Sequence, residues 1–173
     1  DKTIAVVFNN KKIEIGTGLH DSSAALIPYL TVFSEPFILI STGTWCISLN
    51  PFNDEPLTPE ELKKDSLCYL GYNGKPVKAS RLFAGNEHEL QTQKLSKHFN
   101  KPVDYYKKVK YDASVIIALQ EKFIFGGPSE KTNEALIQSN FSTRDLSAFI
   151  NYIYFYHCLL LDIMQVQYAS TQS

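Results

Sequence analysis

The chain has 173 residues, 44% hydrophobic and 20% charged, enough for one domain with a core or for part of a larger protein. Lys plus Arg (17) nearly balance Asp plus Glu (18), which removes the basic footprint of a nucleic-acid binder. No run nears the roughly 18 apolar residues of a membrane helix, so neither nucleic acid nor a membrane is an expected partner.

Thr3–Phe8 is a β-branched run closed by Asn9-Asn10-Lys11-Lys12, with Ile13–Ile15 as its expected partner. Its start, DKTIAVVF, has neither the basic region nor the cleavage site of a signal peptide. Gly16-Thr17-Gly18 breaks the strand pattern and delivers His20 and Asp21 to an alanine-rich helix reaching about Leu30, with a kink or end at Pro28. Pro36–Thr42 reads as a buried strand, paired with Trp45–Leu49 across a turn at Gly43. Pro51–Pro59 is a loop in which Thr58, ahead of Pro59-Glu60-Glu61, caps a short helix.

Asn73-Gly74, between Ser66–Tyr72 and Lys75–Arg81, is the strongest hairpin signal. Glu87–Phe99 reads as a polar helix with Leu90, Leu95 and Phe99 inward. Val103–Phe125 reads as mostly helical up to Gly126-Gly127-Pro128, and Thr143–Gln167 as a long aromatic helix. Strands, hairpins and terminal helices together predict a mixed α/β domain.

Two stretches suit phosphoryl transfer. A carboxylate at a helix N-terminus, Asp21, is favoured as the anion by the dipole and free N–H groups, and serves either as an N-cap or as a base for a hydroxyl proton. Such a base need not be strong, because the transition state is loose and the hydroxyl must mainly be aimed in line. The second stretch is Ser41-Thr42-Gly43-Thr44. Glycine admits a phosphate close to backbone N–H groups and the hydroxyls add donors, although a plain β-turn has the same sequence. No GxxxxGK[ST] loop is present, which excludes an ordinary P-loop kinase.

Other groups carry weaker signals. His20, adjacent to Asp21, is expected to line a sugar pocket or sit satisfied in the core rather than pair with its neighbour. Arg81 suits a structural ion pair more than a phosphate. Glu87, His88 and Glu89 lack HExxH spacing and read as a solvated helix face, with no metal site. Cys46, Cys68 and Cys158 contain no CxxC pair and suit the reduced thiols, mostly core filler, of a cytoplasmic protein.

In order, GTGLHDSSAAL, FILISTGTW and DSLCYLGYNGKPVKASRLFAGNEHE resemble the FGGY family of carbohydrate kinases, nearest the rhamnulokinase and fuculokinase branch. The resemblance covers most of Gly16–Phe99. It implies part of an actin/hexokinase-like (ribonuclease H-like) ATPase fold, with ATP and Mg²⁺ as cofactors and a ketose or deoxyketose as acceptor. Asp21 matches the catalytic base, His20 a substrate-side residue, and Thr42, Gly43 and Thr44 the second phosphate loop.

The family's first phosphate loop, of DxGTT type, is absent, and its adenosine loop should follow the long helix and one more strand. Gly126-Gly127 comes one helix too early for that role. The expected division is therefore residues 1–35 as the end of the sugar-binding domain and 36–173 as the first part of the nucleotide-binding domain, with the crossing near Glu35–Thr42. Such a piece is expected to be inactive alone. The alternative readings are a non-catalytic sugar sensor, an interaction domain using the aromatic helix, and an ATPase or acyl-phosphate kinase of the same fold. The identity of the sugar and the oligomeric state, a homo-oligomer included, stay open.

Overall fold

The computed structural model describes residues 3–16, 18–122 and 143–172. Two asparagines in left-handed backbone, Asn9 (φ 48°) and Asn10 (φ 58°), turn β1 (Ile4–Phe8) into β2 (Lys11–Ile15). The helix expected from Asp21 to Leu30 is divided at Leu26 into α1 (Asp21–Ala25) and α2 (Ile27–Val32). Pro28 has no N–H to continue a helix from α1, but it is tolerated in the first turn of α2.

Four strands follow: β3 (Leu39–Ser41), β4 (Cys46–Asn50), β5 (Ser66–Leu70) and β6 (Pro76–Leu82). They form an antiparallel sheet in the order β3-β4-β6-β5, with Ile47 opposite Arg81, Leu49 opposite Ala79 and Tyr69 opposite Val77. Alternation decides the faces. Ile47, Leu49, Val77 and Ala79 form one apolar face, and Leu26 from the α1–α2 junction packs into it. Ser48 and Ser80 point the other way, toward the C-terminal helix.

The predicted buried strand Pro36–Thr42 is shorter and more exposed than expected. β3 has three residues, lies at the sheet edge and leaves Ile40 and Ser41 exposed. An apolar run does not by itself distinguish an edge from a centre. The hairpin prediction holds: β5 and β6 pair around Gly71–Lys75, with Gly74 at φ +76° and the Gly71 N–H donating to the Lys75 carbonyl at 2.8 Å. The short helix α3 (Pro59–Lys63) carries a full capping box. Glu61 N–H donates to Thr58 Oγ1 (3.2 Å), and Thr58 N–H donates to Glu61 Oε2 (2.7 Å).

A second core lies among three helices. In α4 (Ala84–His98), Leu95 is buried and Phe99 just beyond packs against the same cluster, but Leu90 is 46% exposed, which corrects its inward assignment. The buried stripe instead runs through Gln91, Thr92, Leu95 and Ser96. The helix expected over Val103–Phe125 is a 3₁₀ turn (Tyr105–Lys108) followed by α5 (Ala113–Lys122), which starts where Asp112 accepts from Ser114 N–H at 2.9 Å. Gly126-Gly127-Pro128 falls outside the described residues.

The last helix, α6 (Tyr152–Gln172), begins nine residues later than expected from Thr143, because Asn151 caps it by accepting from Tyr154 N–H at 3.1 Å. Tyr152, Phe155, Cys158 and Leu159 join Leu95 and Leu119 in the core. Arg144 pairs with Asp162, fastening the segment before α6 to the helix. Near its end α6 meets the hydroxyl face of the sheet: Gln167 Nε2 donates to Ser48 Oγ (2.6 Å), which also contacts Thr171 Oγ1 (2.6 Å). Among the described residues no helix is long and apolar enough to cross a membrane.

Candidate functional site

His20, not Asp21, occupies the N-cap position of α1, with extended backbone (φ −63°, ψ 143°). Its carbonyl accepts from Ala24 N–H at 2.9 Å, opening the helix. Asp21 is the first helical residue. Its Oδ1 accepts from Ser22 N–H (2.6 Å) and Ser22 Oγ (3.3 Å), and lies 2.9 Å from His20 Nδ1.

The adjacent residues therefore do meet, contrary to the sequence expectation. His20 Nδ1 also lies 3.3 Å from Ser22 N–H, and one ring nitrogen cannot donate and accept at once. The shorter contacts favour the tautomer in which Nδ1–H donates to Asp21, with the Ser22 N–H directed to the same carboxylate. Five residues make too short a helix for a large macrodipole, so the local donors, rather than the dipole expected from sequence, define the Asp21 environment. The Asp21 side chain is 92% exposed, open to a ligand hydroxyl.

Thr42, Gly43 and Thr44 lie in the exposed connection from β3 to β4. A Cβ placed on Gly43 would find only the Trp45 carbonyl, 4.0 Å away, so the space above this turn is open to a phosphate. The turn is braced from below by a residue that sequence reasoning did not select. Gly85, in the first turn of α4, donates its N–H to the Thr44 carbonyl at 2.9 Å. A Cβ on Gly85 would stand 2.6 Å from Thr44 Cα and 3.1 Å from the Gly43 carbonyl. The signal available in sequence was a glycine at a helix start, where nothing local demands one.

Side chains of the sheet join these two halves. The His20 ring stacks on Tyr69 of β5, with centroids 4.8 Å apart and planes 11° from parallel. Tyr69 lies near Arg81 of β6, whose guanidinium is 5.1 Å from the Trp45 ring centroid. Trp45, directly after Thr44, stacks on Phe83 at 4.4 Å. Arg81 makes the expected ion pair, Nη2 to Asp65 Oδ1 at 2.5 Å. That bond, with a smaller contribution from Tyr69, holds the guanidinium above its ordinary pKa.

The remaining candidates are structural. His88 is half-buried rather than solvated. Its Nε2 contacts the Tyr156 hydroxyl at 3.1 Å, and burial lowers its pKa. Glu87 accepts from Gln91 Nε2 at 2.8 Å. Cys46 and Cys158 are buried and Cys68 is exposed, all three as free thiols. Among the described residues no group of three or more His, Cys, Asp or Glu could hold a metal ion.

Comparison with curated proteins and with solved structures gives no significant match. The family model for the carbohydrate kinase FGGY C-terminal domain matches residues 34–142, well over half of the chain. The match spans the Thr42–Thr44 turn and its Gly85 brace, and it implies part of an actin-like ATPase fold that uses ATP. The specific branch and the substrate are not distinguished by it. By this match the chain belongs to the FGGY carbohydrate kinase family.

Proposed function

We propose that the protein transfers the γ-phosphoryl group of ATP to a hydroxyl of a ketose or deoxyketose, of the rhamnulose or fuculose type. The observation that carries this reading is Asp21: a carboxylate bonded to Ser22 and His20 yet open to solvent, in a chain of a carbohydrate kinase family. In this reading Asp21 accepts the proton of the acceptor hydroxyl as that oxygen bonds to the γ-phosphorus and the bond from that phosphorus to the β–γ bridging oxygen breaks, with ADP as the leaving group. His20 orients the carboxylate and lines the sugar side.

Thr42, Gly43 and Thr44 hold the phosphates through hydroxyl and backbone donors, a role that fits the open space over Gly43. ATP supplies the phosphoryl group, and Mg²⁺ neutralises charge on its phosphates. The ion would keep water ligands and be held through them to carboxylates. Closure of a cleft around both substrates would exclude the water that otherwise hydrolyses ATP.

We further read residues 1–35 as the end of a sugar-binding domain and 36–173 as the first part of a nucleotide-binding domain. The family match beginning at residue 34 supports that division. The free thiols suit a cytoplasmic location. The test is ADP release by the full-length gene product with Mg·ATP against rhamnulose, fuculose, xylulose, ribulose and glycerol. Turnover dependent on one of the ketoses supports the assignment. Sugar binding without turnover on any of them replaces it with a sensor.

A further inference from the structure

Asp21 owes little of its orientation to its own helix. α1 has five residues and is anchored by buried Ser23 and by Leu26 at its end, whereas the Asp21 side chain is exposed and, among the described residues, its polar partners are Ser22 and His20. An exposed carboxylate held so lightly samples several rotamers unless its neighbour is fixed. Of that pair, His20 has the tertiary contact, its stack on Tyr69. Tyr69 is held in turn by strand pairing to Val77 and by packing against the apolar cluster around Leu26.

We propose that Tyr69 is a positioning residue for the transfer reaction: its ring fixes the His20 imidazole against Asp21 and ties that pair to the sheet carrying the phosphate turn. The proposal rests on the reading of Asp21 as the base. The same face of the sheet carries Arg81, whose guanidinium lies over the ring of Trp45, the residue after Thr44. The acceptor side and the phosphate side thus share one support, the sheet. Such a support matters because a displacement of about 1 Å between reacting groups costs on the order of 100-fold in rate. The hydroxyl of Tyr69 is not required for the stack; the ring is.

The test compares Tyr69→Phe, which keeps the ring, with Tyr69→Leu, which fills apolar volume without one, in the full-length gene product. Two readouts are taken: the proton chemical shifts of the His20 ring, and kcat and KM for sugar and ATP. The proposal predicts that Tyr69→Leu abolishes the ring-current shift of His20 and lowers kcat roughly 100-fold, with KM for ATP within about twofold of wild type. Tyr69→Phe retains the shift and stays within about threefold of wild-type kcat.

Wild-type kcat in Tyr69→Leu, with the His20 shift lost, would overturn the proposal. So would a loss in Tyr69→Phe equal to that in Tyr69→Leu, which would assign the role to the hydroxyl. Absence of sugar-dependent turnover in the wild-type protein would overturn the kinase reading itself, and is distinguished by the His20 shift responding to the variants regardless.

Discussion

Gly85 and Thr44 are in backbone contact: the Gly85 N–H donates to the Thr44 carbonyl at 2.9 Å, and the place of a Gly85 Cβ lies 2.6 Å from Thr44 Cα. The Thr42–Thr44 turn and the start of α4 are thereby one unit. Because the obstruction is backbone, no side chain can rotate away from an added methyl. Gly85→Ala is expected to displace the turn, destabilise the fold by about 1–3 kcal/mol and raise KM for ATP more than KM for sugar. Thermal melts and initial-rate kinetics together check this.

Glu61 links α3 to β6 through Lys78 Nζ at 2.7 Å. That bond, with the Thr58 N–H, lowers the Glu61 pKa from 4.5 to about 2. A depressed carboxylate pKa contributes stability in full above the unfolded value and loses it as pH falls through the folded one. The expected outcome is an acid-dependent loss between pH 4.5 and about 2 that is smaller in Glu61→Gln. Urea titrations of both proteins across that window measure it.

Much of this architecture was legible because local chemistry and tertiary structure agree. Thr58-Pro59-Glu60-Glu61 forms the capping box its sequence describes, and Asn73-Gly74 lies in the β5–β6 loop. Two of the failures have a common cause, since they depend on what lies opposite. Whether Ile40 is central or at an edge is decided by strand order, and Leu90 misses the core by one position around α4. Asn151, rather than Thr143, starts α6. At the candidate site, Asp21 and the Thr42–Thr44 turn were visible as residue types. Gly85 and Tyr69 were not, because their importance comes from contacts 41 and 49 residues away in sequence, Gly85 on Thr44 and Tyr69 on His20.

Burial holds His88 below its ordinary pKa, so the unfolded chain takes up the proton first as pH falls. The stability contributed by the neutral imidazole against Tyr156 is complete above its ordinary value of 6.5 and declines below it. His88→Gln, which can still bond the Tyr156 hydroxyl, is expected to flatten the change in melting temperature between about pH 7 and 5.

The three thiols differ in access. Cys68 is exposed, whereas Cys158 is buried and its pKa is pushed up to about 12, chiefly by desolvation. Iodoacetamide at neutral pH is expected to label Cys68 alone in the folded protein, and Cys46 and Cys158 only after denaturation. Mass spectrometry of the alkylated peptides reads the result.

The central claim is that Asp21 is the base of a sugar kinase. Its most direct test is sugar-dependent ADP release by the full-length gene product, wild type against Asp21→Asn, with ATP affinity measured alongside. Asn retains the size of the side chain and an oxygen for the Ser22 N–H but cannot take up the hydroxyl proton. The account predicts a loss of kcat of about 10²-fold or more with ATP binding preserved. Turnover at the wild-type rate in Asp21→Asn would reduce Asp21 to a support for the first turn of α1 and contradict the account.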